Sequence, residues 1–517
     1  MSDVNVVKPR VRVKASSQWT RVIAQGSAVG GFRAQAYEAA KSGKRSAAMG
    51  STAIGPATAA IQSLDTLRNR SRHEFRNNPS IVPAIDAIVS HTVAGLTPNA
   101  KDPALLKAWR RFERECDAHC NTDFAGLLEQ AMFEIVSAGE TFARHRPRDP
   151  DRDPHLLVPY QVEMIPGEQV PTYDASGESI AGIVFSGPGR KAGVKFFKHR
   201  PDERIDLRSV GMNDFSIVPM DSVIHAFLPR YVGQVRGEPW LVRGLIGLSD
   251  LDAFLDAELV RHKLTAMHVF SVETPMRDEL QDAPDDYDAE GNPINEDGTA
   301  WEPADPIELL PEFKPGAVVP LPPGYKLNPS TPAAISGGFD PFVKVQLRRV
   351  CKSLGVPYEI ASGDSTGLND RVLRFNLMEF RRTVRRWRRM LIAKVARPIW
   401  MRFLNEAVEV GVWTPPAGTT LEDYYNVEWI GEPMGHLHPK QEIEADILAM
   451  DAMIVSPQKV IRERGGDPDQ VLADIAAWRA KLAEHGLTQA DVNAALAAMS
   501  TSEQDDQKQK QEEADDE

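Results

Sequence analysis

Apolar residues recur every three or four positions over most of the chain, and that recurrence marks out a series of amphipathic helices. Asp102-Pro103 supplies a cap and a first-turn proline, after which Leu105, Trp109, Phe112 and Cys116 make one stripe. A second helix runs from Phe124 to Ala138 and stops near Gly139. A third starts at Pro239-Trp240 and reaches about Met267, with Leu241, Leu245, Leu248, Leu251, Leu255 and Leu259 on its apolar face. Asp340-Pro341 opens another, through Val345, Val350 and Leu354. The longest begins near Asn369 or Arg371 and places Leu373, Leu377, Phe380, Val384, Trp387, Leu391 and Val395 on one side; Pro398 is expected to kink or end it. Near the C-terminal end, Asp467-Pro468 caps a helix carrying Val471, Ile475, Trp478 and Leu482, and Thr488 to Asp491 has the pattern of a capping box.

Two stretches break the helical period. Between His155 and Tyr231, short runs rich in β-branched and aromatic residues (156–158, 182–185, 194–197 and 223–227) alternate with Gly, Pro and Asp, which predicts a small sheet set among helices. From Ser271 to Gly337 prolines are dense enough to forbid long helices and central strands, leaving loops and short strands around Val318-Val319. Because helices flank it, this segment reads as an excursion from the tip of a helical hairpin. The fold class expected is mainly α with a smaller α+β part.

Composition is that of an ordinary globular protein: 517 residues, 42% hydrophobic and 26% charged. No run approaches the ~18 apolar residues of a membrane span, no secretory signal opens the chain, and three cysteines cannot frame a disulfide scaffold. A soluble protein made in the cytoplasm is expected, with no membrane partner. The first fifty residues are rich in Ala, Ser, Gly and Arg and read as an arm; 501–517 is too polar and acidic to pack.

Charge is unevenly spread. The net value is −13, yet 1–72 holds twelve Lys or Arg against three acids, while 278–312 holds thirteen acids and no base. An acidic chain does not bind DNA by wholesale phosphate neutralisation, so any DNA is handled locally or passes by. Arg371, Arg374, Arg381, Arg382, Arg385, Arg386, Arg388, Arg389, Lys394 and Arg397 face a single acid on their helix, Glu379. Such density needs an external answer: DNA phosphates are one reading, and acids of a neighbouring subunit are the favoured one.

Catalytic patterns are missing. Cys116-x-x-His119-Cys120 has zinc-ligand residue types, but both cysteines fit a buried face and no second ligand cluster is near, so no metal is expected. Gly43-Lys44 is followed by Arg45 and does not make a phosphate-binding loop; neither G-x-S-x-G nor H-E-x-x-H occurs. The acids of 278–312, scattered among prolines, lack the rigid placement of two-metal catalysis. No enzyme activity and no cofactor are expected. The stretch that stands out instead is the turn Gly355-Val356-Pro357-Tyr358-Glu359 and the polar run after it.

In Tyr37-Glu38-Ala39-Ala40, Leu67-Arg68-Asn69-Arg70-Ser71-Arg72, Arg76-Asn77-Asn78-Pro79, Gly233 to Leu241, Leu251 to Val260, Leu354 to Glu359 and Ser362-Gly363-Asp364, the chain resembles the lambda-type phage portal family, over about 37–479. The resemblance implies a homo-oligomeric ring of about twelve subunits at one capsid vertex, in the virion and, during assembly, the host cytoplasm. It implies a channel for double-stranded DNA in packaging and ejection. The implied partners are the terminase large subunit, a head–tail adaptor and a major capsid or scaffold protein. It divides the chain into an arm (1–50), a wing (51–239 with 371–412), stem helices (240–268 and 338–361, the latter with its turn), an acidic clip (269–337), a channel loop (362–370), a crown (413–498) and a tail (499–517). The channel loop would be Ser362, Gly363, Asp364, Ser365, Thr366, Gly367, Leu368, Asn369 and Asp370. Lys344, Arg348, Arg349 and Lys352 would touch DNA phosphates. Arg374, Arg381, Arg385 and Arg388 would face a neighbour or DNA, and Asp285, Asp286, Asp288 and Glu290 would dock a motor or adaptor. A catalysis-free adaptor or scaffold oligomer is the alternative.

Overall fold

The computed structural model describes residues 54–491, apart from 199–214, most of 267–338, 433–438 and the single positions 101, 175, 188, 365, 368 and 489. The expected arm and tail therefore lie outside the described residues, as do Val318 and Val319. The described residues from Pro56 onward belong to one compact unit.

Four helices build its first half: α1 (Pro56–Asn77), α2 (Val82–Val93), α3 (Pro103–Glu115) and α4 (Phe124–Ser137). Asp102 accepts from the backbone N–H of Ala104 and Leu105, and Asp123 accepts from that of Gly126, so both caps act as their sequence positions require. The α3 stripe turns inward to an aromatic cluster in which Trp109 lies 4.9–5.0 Å from Trp400, Phe403 and Phe124, mostly edge to face.

The β region holds two three-stranded antiparallel sheets, not one. The first has the order β3 (Tyr160–Pro166), β2 (Glu140–Pro147), β7 (Val223–Phe227); the second has the order β4 (Ile183–Phe185), β5 (Lys191–Phe197), β6 (Phe215–Pro219). Three of the expected strands are present. The fourth, at 156–158, is a bend, because Pro159 has no N–H to enter a ladder and the strand starts one residue later. A second core, including Phe142, Ile165, Val194 and Phe196, fills the space between the sheets. A further pair joins β1 (Thr97–Asn99) to β10 (Glu428–Ile430).

A short 3-10 turn at Trp240–Arg243 leads into α5 (Leu245–Ala266), which packs antiparallel on α6 (Phe339–Leu354), with Phe254 4.6 Å from Phe342. The far end of this hairpin carries a two-stranded pair, β8 (Phe270–Glu273) with β9 (Lys326–Pro329), so the proline-rich segment does leave and return at one place. The α5 stripe is covered as far as Leu251, whereas Leu259 is exposed.

After α6 come α7 (Tyr358–Ser362) and α8 (Asp370–Leu391). Pro398 does not end the long helix. A π-helical turn, Ile392–Ala396, absorbs the missing N–H and the helix continues as α9 (Arg397–Glu409). Three C-terminal helices follow: α10 (Pro439–Asp451), α11 (Pro457–Glu463) and α12 (Pro468–Glu484). The α12 stripe is mostly uncovered, with Leu482 buried but Ile475 and Trp478 exposed. Thr488 and Asp491 form the expected reciprocal cap, each side chain accepting from the other's backbone N–H.

Candidate functional site

Residues 339–391 form a continuous path: a basic helix, a glycine turn, a polar loop and a second basic helix. The glycine turn is fixed by geometry. Gly355 adopts φ +83° at the end of α6, and Val356 N–H bonds the Cys351 carbonyl at 3.0 Å, the six-to-one bond of a Schellman close. Its α-carbon faces Trp387 so closely that a Cβ would sit 3.3 Å from the indole. Trp387 in turn packs 5.2 Å from Trp240. The turn thus locks α6, α8 and the start of the hairpin together.

Gly363 closes α7 in the left-handed region, and the Asn369 side chain caps α8 by accepting from Arg371 N–H. Between them, Ser362, Gly363, Thr366, Gly367, Asn369 and Asp370 are exposed and Asp364 is half-buried. Ser365 and Leu368 lie outside the described residues. Asp364 organises the loop: it accepts from Thr366 N–H at 3.0 Å and from the Thr366 hydroxyl, and it pairs with Lys344 at 3.1 Å. These bonds hold its carboxyl well below the usual range, the Thr366 contacts first among the causes.

Of the four basic residues expected to meet DNA phosphates, Arg348, Arg349 and Lys352 share one exposed face of α6. Arg348 stacks over the Tyr358 ring at 5.2 Å, and Arg349 donates to Gln346. Lys344 is half-buried and held by Asp340 at 3.0 Å as well as by Asp364, so its charge is answered within the subunit. On α8, Arg374 lies 3.9 Å from Asp370. Arg388 donates to the carbonyls of His91 and Thr92, closing the C-terminal end of α2. Arg381 and Arg385 line the same recess as Glu432, Glu442 and Asp446. Glu290 is exposed in a turn; Asp285, Asp286 and Asp288 lie outside the described residues.

The metal reading of Cys116, His119 and Cys120 has a structural answer. Asp117, buried, accepts from the backbone N–H of His119, Asn121 and Thr122, so a carboxylate shapes this loop. Cys116 is buried as expected, but Cys120 is exposed at φ +55°, which corrects its placement in the core. No group of three or more metal-binding side chains occurs among the described residues.

One cluster escaped the sequence reading. Glu140, wholly buried where α4 passes into β2, accepts from Arg68 at 2.9 Å, Arg236 at 2.6 Å and Gly237 N–H at 3.0 Å, and bonds His225 at 2.8 Å. Arg236 also donates to the carbonyls of Gly167 and Ala181. Next to it, Arg72 bridges Glu134 and Glu168 at 2.7 and 2.6 Å. A signal was present: Arg68 follows Leu64 and precedes Ser71 and Phe75 on the buried face of α1, where the stripe calls for an apolar residue. Asn78 likewise reaches Asp252 at 2.8 Å, bringing two distant sequence motifs into contact.

The model of the lambda family of phage portal proteins matches residues 42–388, which span α1 to α8 and hence the hairpin, the loop and the Glu140 cluster. The chain belongs to that family. It is 25% identical over 292 residues to portal protein B of Escherichia phage lambda, covering 52% of this chain and 54% of the relative. It is 23% identical over 267 residues to the probable portal protein of Halomonas phage phiHAP-1, covering 51% and 48%. The chain thus spans about half the length of the curated relatives it matches. Among solved structures, a chain of the neck of an empty gene transfer agent particle aligns with TM-score 0.46 and 15% identity, over 78% of this chain and 94% of that one. The neck of the native particle gives 0.44 and 14%, over 81% and 96%.

Proposed function

We propose that this portal-family chain is the subunit of a closed ring of about twelve copies at one capsid vertex, with a central channel through which double-stranded DNA enters and leaves. The observation that carries this reading is the apolar surface left uncovered along α5, α6 and the first half of α8. Ile246, Leu259, Phe342, Val345, Val372 and Phe375 are all exposed on helices that one subunit leaves half-wrapped. Apolar surface of this extent on regular helices marks an interface with another chain. A heterologous contact repeated around a closing rotation gives a ring.

In that ring α5 and α6 form the stem, the segment beyond β8 the clip, 362–370 the channel loop, 51–239 with 371–412 the wing, and the C-terminal helices the crown. An acidic overall charge suits a conduit, because a wall that neutralised many phosphates would grip DNA in a salt-dependent way. Arg348, Arg349 and Lys352 offer a few exposed contacts. The acids of 278–312 repel phosphate and suit docking of the terminase large subunit or head–tail adaptor. Capsid or scaffold protein would meet the wing.

Negative-stain imaging and native mass measurement of the purified full chain test this reading. Closed rings with a central hole are expected; a monomer at micromolar concentration and moderate salt overturns it. Deleting 285–297 is expected to spare rings and impair motor docking. Loss of assembly in that variant would make the segment an inter-subunit clasp.

A further inference from the structure

A recess of about 490 Å³ lies where the α8–α9 junction faces β10, lined by Arg385, Arg388, Arg389 and Arg397 with Glu428 and Trp429. Its charge is strongly one-sided. Arg388 is engaged by the end of α2, and Glu428, the recess's acid, lies 3.9 Å from Arg462. Arg385, Arg389 and Arg397 make no ion pair among the described residues. Burial first, and then the neighbouring charge of Arg385, push the Arg388 guanidinium below its ordinary range.

Two further observations set the recess apart from a solvated arginine face. The Nε of Arg397 and the indole Nε1 of Trp429 are buried donors without a hydrogen-bond partner among the described residues. Buried donors left unmatched are costly, so an acceptor, from solvent or from another side chain, is favoured beside them. The second observation is the π-helical turn Ile392–Ala396. At about 100° per residue, Arg397 on a plain α-helix would stand about 80° away from Arg389; the one residue absorbed by the wider turn brings it back to within about 20°. The turn therefore aligns Arg385, Arg389 and Arg397 along one edge of the recess.

We propose that this recess binds a carboxylate presented by a neighbouring copy of the same chain, and so is an inter-subunit ion lock. Guanidinium forks match the two oxygens of a carboxylate, and an indole N–H adds a third kind of donor. Phosphate shares that oxyanion chemistry, but the shape disfavours a duplex. DNA presents its phosphates on a convex cylinder whose major groove alone is ~12 Å wide, whereas the unmatched donors here have almost no exposed surface of their own. A chain with 73 acids against 60 Lys and Arg has carboxylates to offer. The inference rests on the ring reading.

The test compares the full-length wild type with Arg389→Glu, Arg397→Glu and Trp429→Phe, using native mass spectrometry at low and high salt and the anisotropy of a fluorescein-labelled DNA duplex. Both charge reversals are expected to raise the concentration needed for rings by about tenfold or more, with circular dichroism and duplex affinity unchanged. Trp429→Phe should give a smaller loss that grows with salt. Rings at wild-type concentration in the folded Arg389→Glu protein overturn the lock. So does a fall in duplex affinity with assembly intact, which would make the recess a phosphate site. Arg389 is exposed, so its variant remains decisive if Arg397→Glu misfolds. A wild type that never forms rings fails the proposed function itself, a result seen without any variant.

Discussion

The Glu140 carboxylate and the Arg236 guanidinium meet at 2.6 Å with at most 1% of either side chain exposed, and this pair ties β2 to the segment that leads into α5. Arg68 from α1 completes the arrangement. Three separate stretches of sequence thus converge on one buried charge. Breaking a buried ion pair from one side costs about 3–5 kcal/mol, because the partners are left charged and dry. Glu140→Gln is expected to lose stability of that order in urea titrations, with the baseline signals of the folded state retained.

The same centre sets a pH dependence. His225 lies between Glu140 and Lys191, whose ammonium is 3.2 Å from Nδ1. An ammonium cannot donate to a protonated nitrogen, so the ring is neutral with its proton on Nε2, facing Glu140. Burial outweighs the carboxylate and lowers the histidine pKa to about 4. A depressed folded pKa means that the unfolded chain binds the extra proton first, so this contribution is complete above about 6.5 and is lost as pH falls from there through 4. His225→Gln should flatten the stability slope in that window by about 1.4 kcal/mol per pH unit relative to wild type. An unchanged slope would mean that His225 is charged in the fold. Glu140, held far below the usual carboxylate range by the two arginines and His225, adds acid lability only at lower pH.

Gly237 and Gly139 pass each other with no room for a side chain. A Cβ on Gly237 would lie 2.1 Å from the Gly139 carbonyl oxygen and 2.8 Å from the Phe227 Cβ. The obstacle is mostly backbone, which cannot swing aside. Gly237→Ala is expected to cost about 3 kcal/mol, read as a lowered denaturation midpoint, and to separate β2 from the hairpin base. A midpoint equal to wild type would show that this contact is not needed.

How much of this was legible beforehand depended on the range of the interaction. Helices α3, α4, α5, α6 and α8 follow from periodicity and local caps, since Asp102, Asp123 and Asn369 act on their immediate neighbours. Strands β2 and β3 were missed because charged and polar residues such as Arg144, Arg146, Gln161 and Glu163 interrupt their apolar pattern; they pair with one another across the ladder. Single hydrogen bonds of the Glu140 cluster span up to 97 positions, and no local rule reaches so far. Pro398 was read as a breaker because propensity is local, whereas Ile399, Trp400 and Phe403 bury deeply enough to hold the helix together past it.

The cysteines separate cleanly by environment. Cys116 and Cys351 are buried; burial pushes the Cys351 thiol up to about 11 and that of Cys116 higher still. Cys120 is exposed. Since the thiolate is the reactive form, a chromogenic disulfide reagent at mildly alkaline pH should titrate one thiol in the native chain, removed by Cys120→Ser, and three after denaturation. Elemental analysis should find no stoichiometric zinc. Protection of Cys120 in the monomer, or one equivalent of zinc, would restore the metal reading.

The loop 362–370 is anchored to α6 by Lys344. The sequence makes Lys344 a candidate phosphate contact beside Arg348, Arg349 and Lys352, yet it holds Asp364 at 3.1 Å and Asp340 at 3.0 Å, while the other three remain exposed. The pair Lys344–Asp364 ties the start of the loop to α6, and Asn369 ties its end to α8. Tyr358, before the loop, and Phe380, after it, are both buried. Lys344→Ala should therefore speed proteolytic cutting and amide exchange within 362–370 but leave the thermal midpoint and ring yield unchanged, because an ion pair near solvent adds little to global stability. Arg348→Ala or Arg349→Ala should do the reverse, leaving the loop protected and lowering duplex binding. Replacing Leu368, Asn369 and Asp370 with Gly and Ser residues is the sharper change, since it also removes the α8 cap. Rings that assemble normally but package or retain less DNA would fit a loop that handles DNA. Reduced ring yield with normal packaging per ring would make it an ordinary connection between two helices.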